Sequence, residues 1–124
     1  MSILAIDAGT TGVTALIVSD QGEILARGYQ EFQQHFPKPG WVEHEPEQIW
    51  QATLSACNSA LAATSTKPTA IGITNQRETA VIWDRETLAS PTRAIVWQDR
   101  RTADLTEELQ SKNSGGWIRR RTGL

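Results

Sequence analysis

An α/β fold follows from three features of the 124-residue sequence. Three strand-like segments come first, joined by tight turns. A segment with helical apolar spacing then begins at Pro46, and a short apolar strand follows it at residues 70–74. An antiparallel meander that feeds a helical crossover into a further strand is an α/β arrangement. The length allows one domain at most, and an apolar fraction of 39% is enough for a modest core.

Taken in order, residues 3–6 form a short apolar run expected to be a buried strand. Residues 7–12 form a turn, because Gly9 and Gly12 bracket two threonines. Residues 13–18 alternate as a second strand. Residues 19–22 make a hairpin turn with Gly22 at positive φ, and residues 23–34 a longer third strand. Pro37 and Pro39 lack amide donors and break regular structure, and residues 41–45 are expected to be loop. Pro46 suits the first helical position and Glu47 the first turn. Trp50, Leu54, Cys57 and Leu61 then mark one helix face, ending near Ala63. After a turn at 64–68 and the strand at 70–74, further strands are expected at 80–84 and 94–97. A helix is expected from Asp99 to Lys112, closed by Ser114, Gly115 and Gly116, with a short helix over 117–121. The last residues carry no stop signal, so the chain is expected to be the front of something longer.

Composition narrows function. The net charge of −2 gives no basic face for nucleic acid, and Arg119, Arg120 and Arg121 suit a solvated helix end. The single cysteine, Cys57, excludes an internal disulfide and fits a small core residue. No stretch is long enough to span a membrane, and the start lacks a basic segment followed by an apolar run. A reducing, cytoplasmic location is the default expectation. His35 and His44 are expected on loops, without partners at zinc spacing. Ser55 and Ser59 have no partner base for a hydrolytic triad.

Two strand ends carry candidate chemistry. Asp7 follows the first strand and precedes Gly9, Thr10, Thr11 and Gly12. A carboxylate there suits Mg²⁺ held through water, glycines admit phosphate oxygens, and threonine hydroxyls donate to them. The same residues also suit a plain β-turn, and no Walker-type Gly-Lys-Ser/Thr is present. At the second strand end, Asn75, Gln76, Arg77, Glu78 and Thr79 cluster amides, charges and a hydroxyl, with Trp83 and Trp97 on the expected neighbouring strands. Fixed polar groups beside a tryptophan face suit a small polyol. Arg77 and Glu78 are neighbours, so both face one ligand only if the chain turns there. The alternatives are a surface loop of unrelated charges and, for Trp97, a half-buried core ring.

The sequence resembles the N-terminal part of the FGGY carbohydrate kinases, nearest to the glycerol-phosphorylating members. The matching blocks are residues 7–11, 36–44, 71–79, 94–102 and 121–124, in family order and over almost the whole chain. The first block is shared across the actin-like ATPases. The Pro-Gly-Trp-Val-Glu-His and Asn-Gln-Arg-Glu blocks are more specific. The resemblance implies the N-terminal portion of a ribonuclease H-like (actin-like ATPase) domain. A second domain would follow, with ATP and glycerol meeting in the cleft between them. It also implies water-mediated Mg²⁺ at Asp7, ATP phosphate contacts from Gly9, Thr10, Thr11 and Gly12, glycerol hydroxyls on Arg77 and Glu78, and glycerol carbons on Trp97. The implied reaction gives glycerol 3-phosphate, in a full-length protein for which homo-oligomerisation is an open expectation.

The sequence departs from the family pattern in three places: Ala8 replaces glutamine, Gly12-Val13-Thr14 replaces Ser-Ser-Arg, and Glu45 replaces aspartate. The family's substrate tyrosine, catalytic-base aspartate and adenine-binding domain are expected beyond Leu124. No catalytic residue is therefore assigned, and the segment alone is expected to be inactive. A pentulose or gluconate kinase and a non-catalytic binding module are the competing readings. Asn75, Gln76, Arg77, Glu78 and Trp97 favour glycerol.

Overall fold

A computed structural model of the chain describes residues 1–112 and 115–123. Strands β1 (Ser2–Ala8), β2 (Gly12–Ser19) and β3 (Ile24–Glu31) form the expected antiparallel meander. Helix α1 (Pro46–Ala62) crosses over one face and delivers β5 (Ala70–Asn75), which pairs parallel to β1. The sheet order is β3-β2-β1-β5. Gly22 has φ of 82°, as its turn requires.

Alternation along the strands builds the core. Leu4, Ile6, Val13, Ala15, Ile17 and Ala26 point to one face and meet Ala52, Ala56 and Ala60 of α1. This corrects the expected helix face: Trp50 is 54% exposed, and Leu54 and Leu61 are each 38% exposed. The cause is close approach. A Cβ at Gly28 of β3 would lie 2.0 Å from the Ala56 carbonyl oxygen, so only an alanine ridge seats on the sheet. Cys57 flanks this ridge, and burial pushes its thiol pKa up. Ile71 and Ile73 align with Leu4 and Ile6, yet are 65% and 73% exposed because α1 lies over β2 and β3.

Other boundaries also moved. The third strand ends at Glu31, short of Gln34. The 41–45 segment contains β4 (Glu43–His44), which pairs antiparallel with β6 (Ala94–Ile95) in a second, two-stranded sheet. The expected strand at 80–84 is reduced to a bridge between Ala80 and Ile95. Asp84 turns the chain instead, its Oδ1 accepting from the Glu86 and Thr87 amides and the Thr87 hydroxyl. Those bonds, led by the Thr87 amide, hold the Asp84 carboxyl below its ordinary pKa. Helix α2 (Ala103–Ser111) starts four residues after Asp99, which is engaged elsewhere. Helix α3 (Gly115–Thr122) covers the short helix expected at 117–121 and includes Gly116; Ser114 lies outside the described residues. Among the described residues no helix is long and apolar enough to cross a membrane.

Candidate functional site

Parallel pairing sets the site. Because β1 and β5 run the same way, their carboxyl ends lie side by side, with Asp7 opposite Thr74 and Ala8 opposite Asn75. The pairing continues past the strand, where the Gln76 amide donates to the Ala8 carbonyl at 2.9 Å. Open α/β sheets gather ligands at such carboxyl ends. The two polar segments therefore share one end of the sheet.

The β1–β2 hairpin presents Asp7 and Thr11 exposed and Thr10 half-buried. Gly9 uses its amide to donate to the Gly12 carbonyl at 3.0 Å, which closes the turn. Gly12 is buried, since a Cβ there would come within 2.7 Å of the Tyr29 hydroxyl. Both glycines shape the hairpin that displays the two threonines. Asp7 is not part of a ready metal cage: among the described residues no three His, Cys, Asp or Glu side chains gather to hold a metal.

At the second strand end, Glu78 has φ of 60°, so the chain does turn after Arg77. A non-glycine residue in this region carries roughly 1 kcal/mol of strain, which is concentrated at functional positions in many proteins. Both side chains are exposed, and among the described residues neither makes a hydrogen bond or ion pair with the protein. Trp97 is half-exposed, and its indole Nε1–H donates to Thr10 Oγ1 at 3.0 Å. Its backbone amide approaches Thr79 Oγ1 at 3.4 Å. Trp83 is not brought to this site. It lines a separate concavity of about 630 Å³ with Trp50, Val81 and Leu88.

Two supports that the sequence pattern does not reveal accompany these residues. The first is His44, expected on a loop but fully buried on β4. Its Nε2 meets Gln34 Oε1, its Nδ1 meets Gln76 Nε2, and its ring stands edge-on to Phe32 at 5.0 Å. The second is an ion-pair cluster. Arg101 bonds both Asp99 oxygens and Glu43, and stacks 3.7 Å over Trp41. Asp99 Oδ2 also accepts the Val42 amide at 2.7 Å. The Arg101 hydrogen bond is the main cause that brings the Asp99 pKa down to about 2, and the same bond raises that of Arg101. The cluster ties the segment before β4 to the segment after β6, the segment that carries Trp97. Only the proximity of Trp41, Glu43, Asp99 and Arg101 in the fold reveals it; their spacing in sequence carries no such signal.

Comparison with known proteins fits this geometry. Residues 2–124 match the family model for the N-terminal domain of the FGGY family of carbohydrate kinases. The glycerol kinase of Methylobacterium nodulans is 52% identical over 98% of this chain, and that of Leptospira biflexa 46% over the same share. This chain spans 25% of the length of each. The crystal structure of Plasmodium falciparum glycerol kinase with ADP superposes with a TM-score of 0.87 at 34% identity, over 95% of this chain and 24% of that one. Gluconate kinase from Lactobacillus acidophilus reaches a TM-score of 0.90 at 20% identity, over 99% of this chain and 25% of that one, a likeness of fold alone. The sheet and crossover are those of the actin-like ATPase fold. The chain belongs to the FGGY family of carbohydrate kinases.

Proposed function

We propose that the full-length protein carrying this segment transfers the γ-phosphoryl group of ATP to a terminal hydroxyl of glycerol, and that the segment supplies the polyol seat and part of the phosphate seat. The observation that carries the reading is the bond from the Trp97 indole to Thr10, which joins the aromatic platform to the hairpin threonines. Arg77 and Glu78, exposed and without protein partners among the described residues, hold glycerol hydroxyls by charge-assisted hydrogen bonds. Trp97 packs on the carbons. Thr10 and Thr11 face the ATP phosphates from the hairpin that Gly9 and Gly12 close.

Mg²⁺ fits Asp7 in one way. A lone exposed carboxylate cannot cage the ion, but Mg²⁺ keeps most of its waters and takes phosphate oxygens as ligands. The ion would supply charge neutralisation on the phosphates. The rest is positioning, which dominates this class of reaction. We place the segment as the first part of the first kinase domain of a cytoplasmic enzyme, with the general base supplied by later sequence. Relatives named glycerol kinase at 46% and 52% identity support glycerol over the sugar acids and pentuloses. The test is a coupled kinase assay of full-length protein against glycerol, pentuloses and gluconate. Glycerol should give the highest kcat/KM; a preference for a pentulose or gluconate, or no turnover at all, would refute the reading.

A further inference from the structure

A closed ring of hydrogen bonds lies under the site, and His44 is its one fully buried member. The direction of the Gln34 amide is set from outside by a carbonyl, which can only accept. Gln34 Nε2 donates to the Thr10 carbonyl at 2.9 Å and approaches the Phe32 carbonyl at 3.4 Å, which leaves its Oε1 facing His44 Nε2. Gln76 Oε1 accepts the Thr79 hydroxyl at 3.0 Å, which leaves its Nε2 facing His44 Nδ1 at 3.1 Å. With the Gln76 amide in this orientation, an acceptor opposite Nε2 and a donor opposite Nδ1 suit neutral imidazole with its proton on Nε2. Burial, and then the charge of nearby His35, lower the His44 pKa and favour that neutral form. The ring closes above through Thr79, which takes the Trp97 amide, and through Thr10, which takes the Trp97 indole.

We propose that His44 is a positioning residue that clamps Gln34 and Gln76, and through them holds the Thr10 hairpin and the Trp97 ring in one register. This rests on the proposed function only in assigning those two elements to phosphate and polyol. His44 touches neither substrate. It acts by setting where Thr10 and Trp97 stand relative to each other, so its loss should weaken both substrates together.

The test uses full-length protein. His44→Phe keeps an aromatic ring against Phe32 and removes both hydrogen bonds. It should raise KM for glycerol and for ATP by about tenfold each, with a smaller fall in kcat. The double variant His44→Phe/Gln76→Leu should be within about twofold of His44→Phe, because both cut the same ring. The indole N–H signal of Trp97 in a nitrogen-edited NMR spectrum, assigned with Trp97→Phe, should shift in His44→Phe. Gln34→Leu and Gln76→Leu, which leave His44 in place, should shift it too, and they decide the matter if His44→Phe does not fold. An unmoved Trp97 signal in the folded variants, or KM effects that multiply in the double variant, would overturn the proposal. If the unaltered protein phosphorylates no polyol, the proposed function fails, while the indole signal, which needs no turnover, still decides the role of His44.

Discussion

Replacing Gly28 by alanine tests how α1 is seated. A Cβ there would stand 2.0 Å from the Ala56 carbonyl oxygen and 2.9 Å from both the Ala56 carbonyl carbon and the Ala60 amide nitrogen. Ordinary contact needs roughly 3.4 Å, so α1 must retreat by more than about 1 Å, and no side-chain rotation relieves the clash because every obstructing atom is backbone. The retreat opens the interface of Ala52, Ala56 and Ala60 with Val13, Ala15, Ile17 and Ala26. Overpacking of this kind costs about 3 kcal/mol, against a gain of under about 1 kcal/mol from the stiffer unfolded chain. A net loss of about 2 kcal/mol is expected in denaturant unfolding of the full-length protein, if the domain carrying α1 gives a separable transition. Gly22→Ala, where φ is 82° and a Cβ would meet nothing within 4 Å, should cost roughly 1 kcal/mol. Adding Ala56→Gly to Gly28→Ala should not restore stability, since it leaves the carbonyl in place. A Gly28→Ala protein within about 0.5 kcal/mol of the parent would refute this seating of the helix.

Two further outcomes follow from the site. The Asp99 carboxyl titrates at about 2 in the folded chain against an ordinary 3.8, so the stability it contributes is present above the ordinary value and lost as pH falls through about 2. Asp99→Asn should therefore unfold at a lower denaturant concentration than the parent near neutral pH, and the difference should shrink between about pH 4 and about pH 2; a difference independent of pH would count against the Arg101 pairing. Asp7→Ala should lower turnover by at least about a hundredfold while leaving glycerol affinity by calorimetry unchanged, and retained turnover would rule out its metal role.

The elements that the sequence made legible are those whose pattern is local. The meander shows in the alternation of Val13, Ala15 and Ile17 and in Gly22, and the crossover shows in Pro46 and the helical run after it. Side-chain size is a poor guide to which face of α1 is buried. Gly28 reverses that guide by bringing the two backbones together, so the small residues go inward and Trp50 outward. The two-residue strands Glu43–His44 and Ala94–Ile95 carry too little alternation to show, and each exists only because the other is there. Residues 80–84 have strand-like composition, but the side chain of Asp84 offers its neighbours a turn instead. At the site, Asp7, Thr10, Arg77, Glu78 and Trp97 stood out by chemistry and motif. His44 and the Asp99–Arg101 pair did not, because a support declares itself by what it touches.

In the proposed function β5 ends in a polyol seat and β1 in a phosphate seat, beside each other yet distinct. Steady-state kinetics of Arg77→Ala in the full-length protein test it most directly. Loss of a charge-assisted hydrogen bond, worth about 1.5–3 kcal/mol, should raise the glycerol KM by roughly ten- to a hundredfold and leave the ATP KM within about twofold. Equal changes in both constants, or no change in the glycerol KM, would contradict the account.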